Sequence, residues 1–185
     1  TGSLTRASQS LVQSANLITK VYFPRLIIPV SGVIAGLVDF AVSMVVLAAL
    51  LVYYRVPLMP TVLMLPFFLL LAMLTALGFG LWLSALNVRY RDVGYLVPFL
   101  LQMWTYLTPV VYSASLVPEQ YRFILALNPM PAVVEGFRWS LLGSAMSISQ
   151  ATPVVFVIPL VMLAAVVGSG LVFFRRTGRT FADVV

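Results

Sequence analysis

The sequence contains no cysteine and no histidine, and only 9% of its 185 residues are charged. Without cysteine there are no disulfides or thiolate metal sites. With no histidine and five acidic residues, a zinc or iron site is not expected either. Soluble domains carry roughly 25% charged residues, whereas this chain is 62% apolar with a mean hydropathy of +1.06. It has too little polar surface to face water, so we expect lipid to be its solvent.

The basic residues are scattered between apolar blocks. A net charge of +6 spread in this way is typical of anchors beside a membrane. A nucleic-acid surface would cluster its basic residues on one face, so nucleic acid is not an expected partner.

Long stretches with few or no charges define the membrane segments. The stretches between Arg25 and Arg55, between Arg55 and Arg89, between Asp92 and Glu119, and between Arg138 and Arg175 each hold a single span of about 20 residues. Helix is expected because an open sheet leaves backbone groups unpaired in hydrocarbon. The predicted fold class is therefore all-α, a polytopic bundle with about four spans in a transmembrane domain at 27–174. The predicted spans are 27–54, 62–87, 94–113 and 153–174.

Basic residues are unequally distributed between the two sides that four spans define. One side holds eight: Arg6, Lys20, Arg25, Arg89, Arg91, Arg175, Arg176 and Arg179. The other side holds three: Arg55, Arg122 and Arg138. Because basic loops stay in the cytoplasm, we expect both ends of this chain to be cytoplasmic. Residues 175–185 then form a basic tail on anionic lipid headgroups.

The external connection within 114–148 is itself apolar. It is broken at Asn128-Pro129 and Pro131, which predicts two short amphipathic helices with a hinge between them. They are too short to cross the bilayer, so they either lie in the outer interface or dip into it and return. A cap on the bundle and a part of a pore exit are both compatible with this pattern.

The first 26 residues have a different character, polar at first and then mixed apolar and basic. A short surface helix that stops before Pro24 fits the segment Asn16–Pro24. It is either a headgroup anchor or a docking element for a cytoplasmic partner. The chain opens at Thr1 without a signal-peptide pattern, so we expect a fragment of a longer protein.

Several ordered motifs resemble one family. The runs SANLITKVYFPRLIIP (14–29) and GLWLSALNVRYRDV (80–93) resemble the cytoplasmic turns of bacterial ABC-type permeases that export polysaccharides such as O-antigen, capsule and teichoic acid. The runs TPVVY (108–112), VPE (117–119), LNPM (127–130) and EGFRW (135–139) are similar to the same family's fifth span and external helices.

The resemblance implies a subunit of six spans, of which the first two are missing here, in the bacterial cytoplasmic (inner) membrane. It also implies a homodimer, a separate ABC ATPase subunit and a lipid-linked glycan substrate. No phosphate-binding loop occurs in the sequence, so ATP is expected on the partner, with no cofactor on this chain. Residues 1–26 are then a cytoplasmic coupling region, whose contacts to the ATPase are Asn16, Leu17, Lys20, Val21, Tyr22, Phe23 and Pro24.

Other candidate residues have two interpretations each. Arg89, Arg91 and Asp92 are either a membrane anchor with a local ion pair or a second ATPase contact. Asp39, roughly 18 Å along its span, is either a structural acid bonded to a neighbouring span or a proton site. Trp104 and Tyr106 either line the path of a sliding glycan or belong to an interfacial aromatic belt.

The sequence has no nucleophile–base pair and no paired carboxylates, so we do not interpret the chain as an enzyme. A membrane enzyme of polymer synthesis is disfavoured because acids and histidines do not cluster at one membrane face. The leading hypothesis is the permease subunit of a polysaccharide exporter. The alternatives are an exporter of drugs or lipids with the same architecture and a non-transporting membrane scaffold.

Overall fold

The computed structural model describes residues 2–13, 26–57, 59–90, 92–108, 110, 117–118, 127–143 and 153–178. Six α-helices lie in these ranges: α1 (Gly2–Gln13), α2 (Ile27–Tyr53), α3 (Leu65–Arg89), α4 (Val93–Leu107), α5 (Pro129–Leu142) and α6 (Pro153–Thr177). A short 3-10 helix at Pro60–Met64 leads directly into α3.

The predicted all-α class is confirmed, and the described residues contain no strand. Within these residues three helical segments are long and apolar enough to cross a membrane: Ile27–Tyr53, Pro60–Arg89 and Val157–Thr177. The third predicted span corresponds to α4, an apolar helix of 15 residues that is about 22 Å long. That length is shorter than the hydrocarbon core.

One end of the bundle is held together by a buried apolar cluster. It contains residues from the end of α1, the start of α2 and the ends of α3 and α6: Leu11, Ile28, Leu81, Ala85, Val88 and Phe174. Helix α2 is therefore antiparallel to α3, whereas α1 and α6 run parallel to α3. The basic residues Arg89, Arg175 and Arg176 are exposed at this same end, as expected for residues that contact headgroups.

The contact between α3 and α6 is the most extensive in the bundle, and glycine makes it close. A Cβ on Gly170 would lie 2.7 Å from the carbonyl oxygen of Gly78, and a Cβ on Gly78 would lie 2.9 Å from Val166 Cγ1. The rings of Trp82 and Phe173 stack beside these glycines with centroids 4.4 Å apart, and Trp82 Nε1 donates to Ser169 Oγ at 3.2 Å. In lipid, such backbone-to-backbone packing replaces the hydrophobic drive that associates helices in water.

Helix α5 lies beside the other half of the bundle. Asn128 caps it by accepting from the Met130 amide at 3.0 Å, which explains the start at Pro129. The Phe137 ring lies 5.7 Å from that of Phe40, at the middle of α2, and 6.3 Å from that of Phe68. Helix α5 therefore packs against the middle of α2. The residues expected to form the first external helix mostly lie outside the described ranges.

Helix α1 requires a correction to the interpretation of the N-terminal region. Residues 1–26 were expected to be cytoplasmic as a whole, but Gly2–Gln13 packs lengthwise between α2 and α3. The reason is composition: Ser3, Ala7 and Ser8 are small enough for α1 to approach both neighbouring backbones. Arg6 therefore lies beside a span, and the basic count becomes seven against three, which leaves the bias in the same direction.

Candidate functional site

Asp39 forms an ion pair with Arg6. Asp39 is the thirteenth residue of the 27-residue helix α2, so the pair lies near the middle of a span. Arg6 comes from α1, which brings the two charges together because Ser3 contacts Gly36 and Ala7 contacts Gly32. Charges at this depth are expensive unless paired or wetted. The sequence did not indicate Arg6 as a partner of Asp39, because Arg6 was counted among the basic residues of the side expected to be cytoplasmic.

Asn87 joins three helices near the end that carries the buried cluster. Its side chain is buried at 3% exposure, and Nδ2 donates to the Ser8 carbonyl oxygen of α1 at 3.1 Å. On its other side, a Cβ on Gly94 of α4 would lie 2.8 Å from Asn87 Oδ1. An amide in this position fixes the middle of α1 against α3 and contacts the start of α4.

The exposed face of α4 carries two parallel stripes at helical spacing. One stripe is aromatic and amide in character, and it contains Tyr95, Phe99, Gln102 and Tyr106. The other is aliphatic and contains Leu96, Leu100, Met103 and Leu107. Both stripes are exposed, with Tyr106 at 68%, while Val97 and Leu101 on the opposite face are buried. We name the first set the aromatic–amide stripe.

Trp104 and Tyr106, both predicted candidates for a translocation path, lie on different faces of α4. The Trp104 ring packs on Phe79 of α3 with centroids 5.0 Å apart and planes at 70°. Tyr106 is on the exposed face with the aromatic–amide stripe. Residues two positions apart on a helix point in directions that differ by about 200°. This spacing places Trp104 and Tyr106 on different faces of α4.

The turn after α3, which was expected to be cytoplasmic, is only partly described. Arg89 lies in the last turn of α3, where a cation is favourable, and its guanidinium carbon lies 5.5 Å from the Tyr90 ring centroid. Asp92 is exposed, and among the described residues no ion pair joins it to Arg89. Arg91 and the whole candidate coupling segment (Asn16, Leu17, Lys20, Val21, Tyr22, Phe23 and Pro24) lie outside the described residues.

Three residues were missed from the sequence: Arg6, Asn87 and Gln102. A signal existed for two of them, because Asn87 and Gln102 are amides within or at the edge of apolar segments, where a polar side chain requires a partner. Arg6 offered no such signal, because its partner is 33 residues away and only the packing of α1 on α2 brings them together.

The described features define a polytopic α-helical membrane protein with polar groups placed between its helices. The chain belongs to the ABC-2 type transporter family, whose sequence profile matches residues 6–142. The family resemblance drawn from the motifs is thereby confirmed.

Similar proteins carry more specific names. Two O-antigen export system permease proteins RfbA from Klebsiella pneumoniae are 23% and 25% identical to it over 184 residues, which is 99% of this chain and 69% of each relative. An O-antigen export system permease protein RfbA from Myxococcus xanthus is 31% identical over 139 residues, which is 74% of this chain and 53% of the relative.

Proposed function

We propose that this chain is the membrane-spanning part of an ABC exporter that moves a lipid-linked polysaccharide across the bacterial cytoplasmic membrane. The observation that carries the proposal is the similarity of 99% of the chain to O-antigen export permeases. The energy comes from a separate ABC ATPase subunit, and this chain acts as a transport subunit and not as an enzyme. Two copies form the transporter, with both ends of the chain in the cytoplasm.

The ATPase binds at residues 16–24, between the end of α1 and the start of α2. The support is topological as well as sequence-based, because α1 ends and α2 begins at the same end of the bundle. That end also carries exposed Arg89, Arg175 and Arg176. The turn at Arg89, Arg91 and Asp92 lies there too and is a candidate for a second, smaller contact.

Replacing Tyr22 and Phe23 together by alanine should release the ATPase subunit. Aromatic anchors of an interface contribute about 2 kcal/mol or more each, so loss of both should lower the affinity about 800-fold. The measurement is co-purification of the ATPase with the full-length permease in mild detergent, and the matched control is Tyr53→Ala with Tyr54→Ala, two exposed aromatics at the opposite end of α2, which should retain it. If wild type captures no ATPase, the exporter assignment fails. If the double mutant still captures it, the coupling site lies elsewhere.

The glycan path runs along the aromatic–amide stripe of α4. Sugar rings stack their C–H faces on aromatic side chains, and the Gln102 amide and the tyrosine hydroxyls exchange hydrogen bonds with successive sugar hydroxyls. A stripe with these groups is poorly suited to lipid, whereas the neighbouring aliphatic stripe suits lipid or the second copy. Tyr106 is retained in this path. The proposed path no longer includes Trp104 and instead includes Tyr95, Phe99 and Gln102. Asp39 is proposed to position α1 and α2 and not to line the path.

Changing Gln102 and Tyr106 to leucine should slow export without loss of folded protein. Both side chains are exposed, so stability depends little on them, while two hydrogen-bonding groups are lost along the path. One such bond is worth about 1 kcal/mol, so the loss of two should reduce export about 30-fold in the double variant. The control is Met103→Leu in the aliphatic stripe, which should export normally. Equal export by both variants would exclude this stripe as the path.

A further inference from the structure

Helix α1 is fitted into a slot between α2 and α3 that has no room for sideways movement. A Cβ on Gly32 of α2 would lie 3.0 Å from both Cα and N of Ala7, which are backbone atoms. A Cβ on Gly80 of α3 would lie 2.9 Å from the Ala7 Cβ. At Gly36, a Cβ would overlap the Ser3 side chain. Ala7 and Ser8 are fully buried as a result.

Two polar contacts fix α1 lengthwise in this slot. The Arg6–Asp39 ion pair joins the fifth of its 12 residues to α2, and the hydrogen bond from Asn87 joins its seventh residue, Ser8, to α3. A slide by one helical turn, about 5.4 Å, would break both contacts at once. It would leave Asp39 as an unpaired charge in the middle of α2, which is unfavourable at that depth.

We propose that Arg6 and Asp39 are positioning residues that hold α1 and α2 together as one body during transport. This rests on the proposed function, in which the ATPase acts on the residues between these two helices. A displacement applied there reaches the end of α1 and the start of α2 simultaneously. If the helices slid past each other, the displacement would move only their ends and would not reach the middle of α2. With the ion pair formed, it is delivered to the middle of α2.

The first test separates positioning from folding by measuring assembly, ATP hydrolysis and export together. The variants are Arg6→Asp, Asp39→Arg, the combination of both, and Arg6→Lys, each in the full-length permease expressed with its ATPase in a permease-deletion strain. Surface glycan reports export, and the purified complex reports ATPase content and hydrolysis. We expect each charge reversal to reduce export about tenfold while ATPase content and hydrolysis stay within about twofold of wild type. Arg6→Lys and the charge exchange should recover most of the export.

The outcomes of this test are distinct. Export that stays normal in both reversals overturns the proposal. So does a parallel loss of assembled complex and export, because this would indicate a purely structural ion pair. If the wild-type permease captures no ATPase, the proposed function fails instead. The wild type is therefore measured before any variant is compared.

The second test does not depend on charge. The chain has no cysteine, so Ser3→Cys with Gly36→Cys introduces one defined pair across the α1–α2 contact, where the two Cβ positions are 2.8 Å apart and must separate by about 1 Å to reach disulfide geometry. Oxidation should link the two helices within one chain. If α1 and α2 move as one body, the linked protein in proteoliposomes exports within about twofold of its reduced form. Export that disappears on oxidation and returns with reductant would show that the helices must separate, which overturns the proposal. The single-cysteine variants serve as controls.

Discussion

Gly170→Ala should destabilise the protein, whereas Gly168→Ala, two residues away on the same helix, should not. The added methyl at position 170 would meet the Gly78 carbonyl oxygen at 2.7 Å and Trp82 Cδ1 at 3.2 Å. Neither group can move aside easily, because the carbonyl belongs to a helix backbone and Trp82 is held by Phe173 and Ser169. At position 168 the same methyl meets nothing within 4 Å.

The same substitution, glycine to alanine, should therefore change the free energy of unfolding differently at the two positions. Alanine gains about 1 kcal/mol of helix propensity over glycine, and overpacking costs about 1–3 kcal/mol. Because the methyl meets a backbone atom at 2.7 Å, the cost should lie in the upper part of this range, about 2–3 kcal/mol. Gly170→Ala should therefore lose about 1–2 kcal/mol net, and Gly168→Ala should be neutral or slightly stabilising. The measurement is the unfolding temperature of the purified protein in detergent. Equal shifts in the two variants would mean that α3 and α6 do not pack as described.

Gly136→Ala should displace α5 from the bundle and reduce export strongly. A Cβ at position 136 would overlap the ring of Phe68, which is only 8% exposed and lies between Phe67 and Phe137. Because several packed rings must shift to admit one methyl, we expect a loss of about 2–3 kcal/mol. Unfolding temperature and surface glycan are the two readouts.

A second-site change tests the cause of that effect. Phe68→Val removes the ring atoms that the new methyl would meet, at some cost of its own. The double variant Gly136→Ala/Phe68→Val should then lose less stability than the sum of the two single variants, with a coupling energy of about 1 kcal/mol or more. Additive losses would place the origin of the Gly136→Ala effect elsewhere than the Phe68 ring.

The helical class and the main spans could be predicted because they depend on local composition. Ile27–Tyr53 and Leu65–Arg89 agree with two predicted spans to within a few residues, since charges and polar turns delimit them. The start of α5 at Pro129 follows equally from Asn128, whose capping bond is local. Helix α1 was not predicted as part of the bundle, because its polar small residues suggest a surface stretch until their neighbours are known.

The candidate site divides in the same way. Asp39 was found by its isolation in an apolar segment, which is a property of the sequence. Its partner Arg6, and the separation of Trp104 from Tyr106, required knowledge of which helix faces pack together. The coupling segment at residues 16–24 stays a prediction from the family resemblance.

The sequence by itself determined that this is a helical membrane protein, where its longest spans lie and to which family it belongs. These properties follow from hydrophobicity, charge and short motifs, each of which acts within one segment. Only the tertiary structure decided that α1 lies in a slot between α2 and α3, that Arg6 neutralises Asp39, and that α4 exposes an aromatic–amide stripe. The physical reason is that small residues such as Gly32, Gly36 and Gly80 have no side chain to indicate a partner. Their effect appears only when another backbone approaches closely enough to use the space.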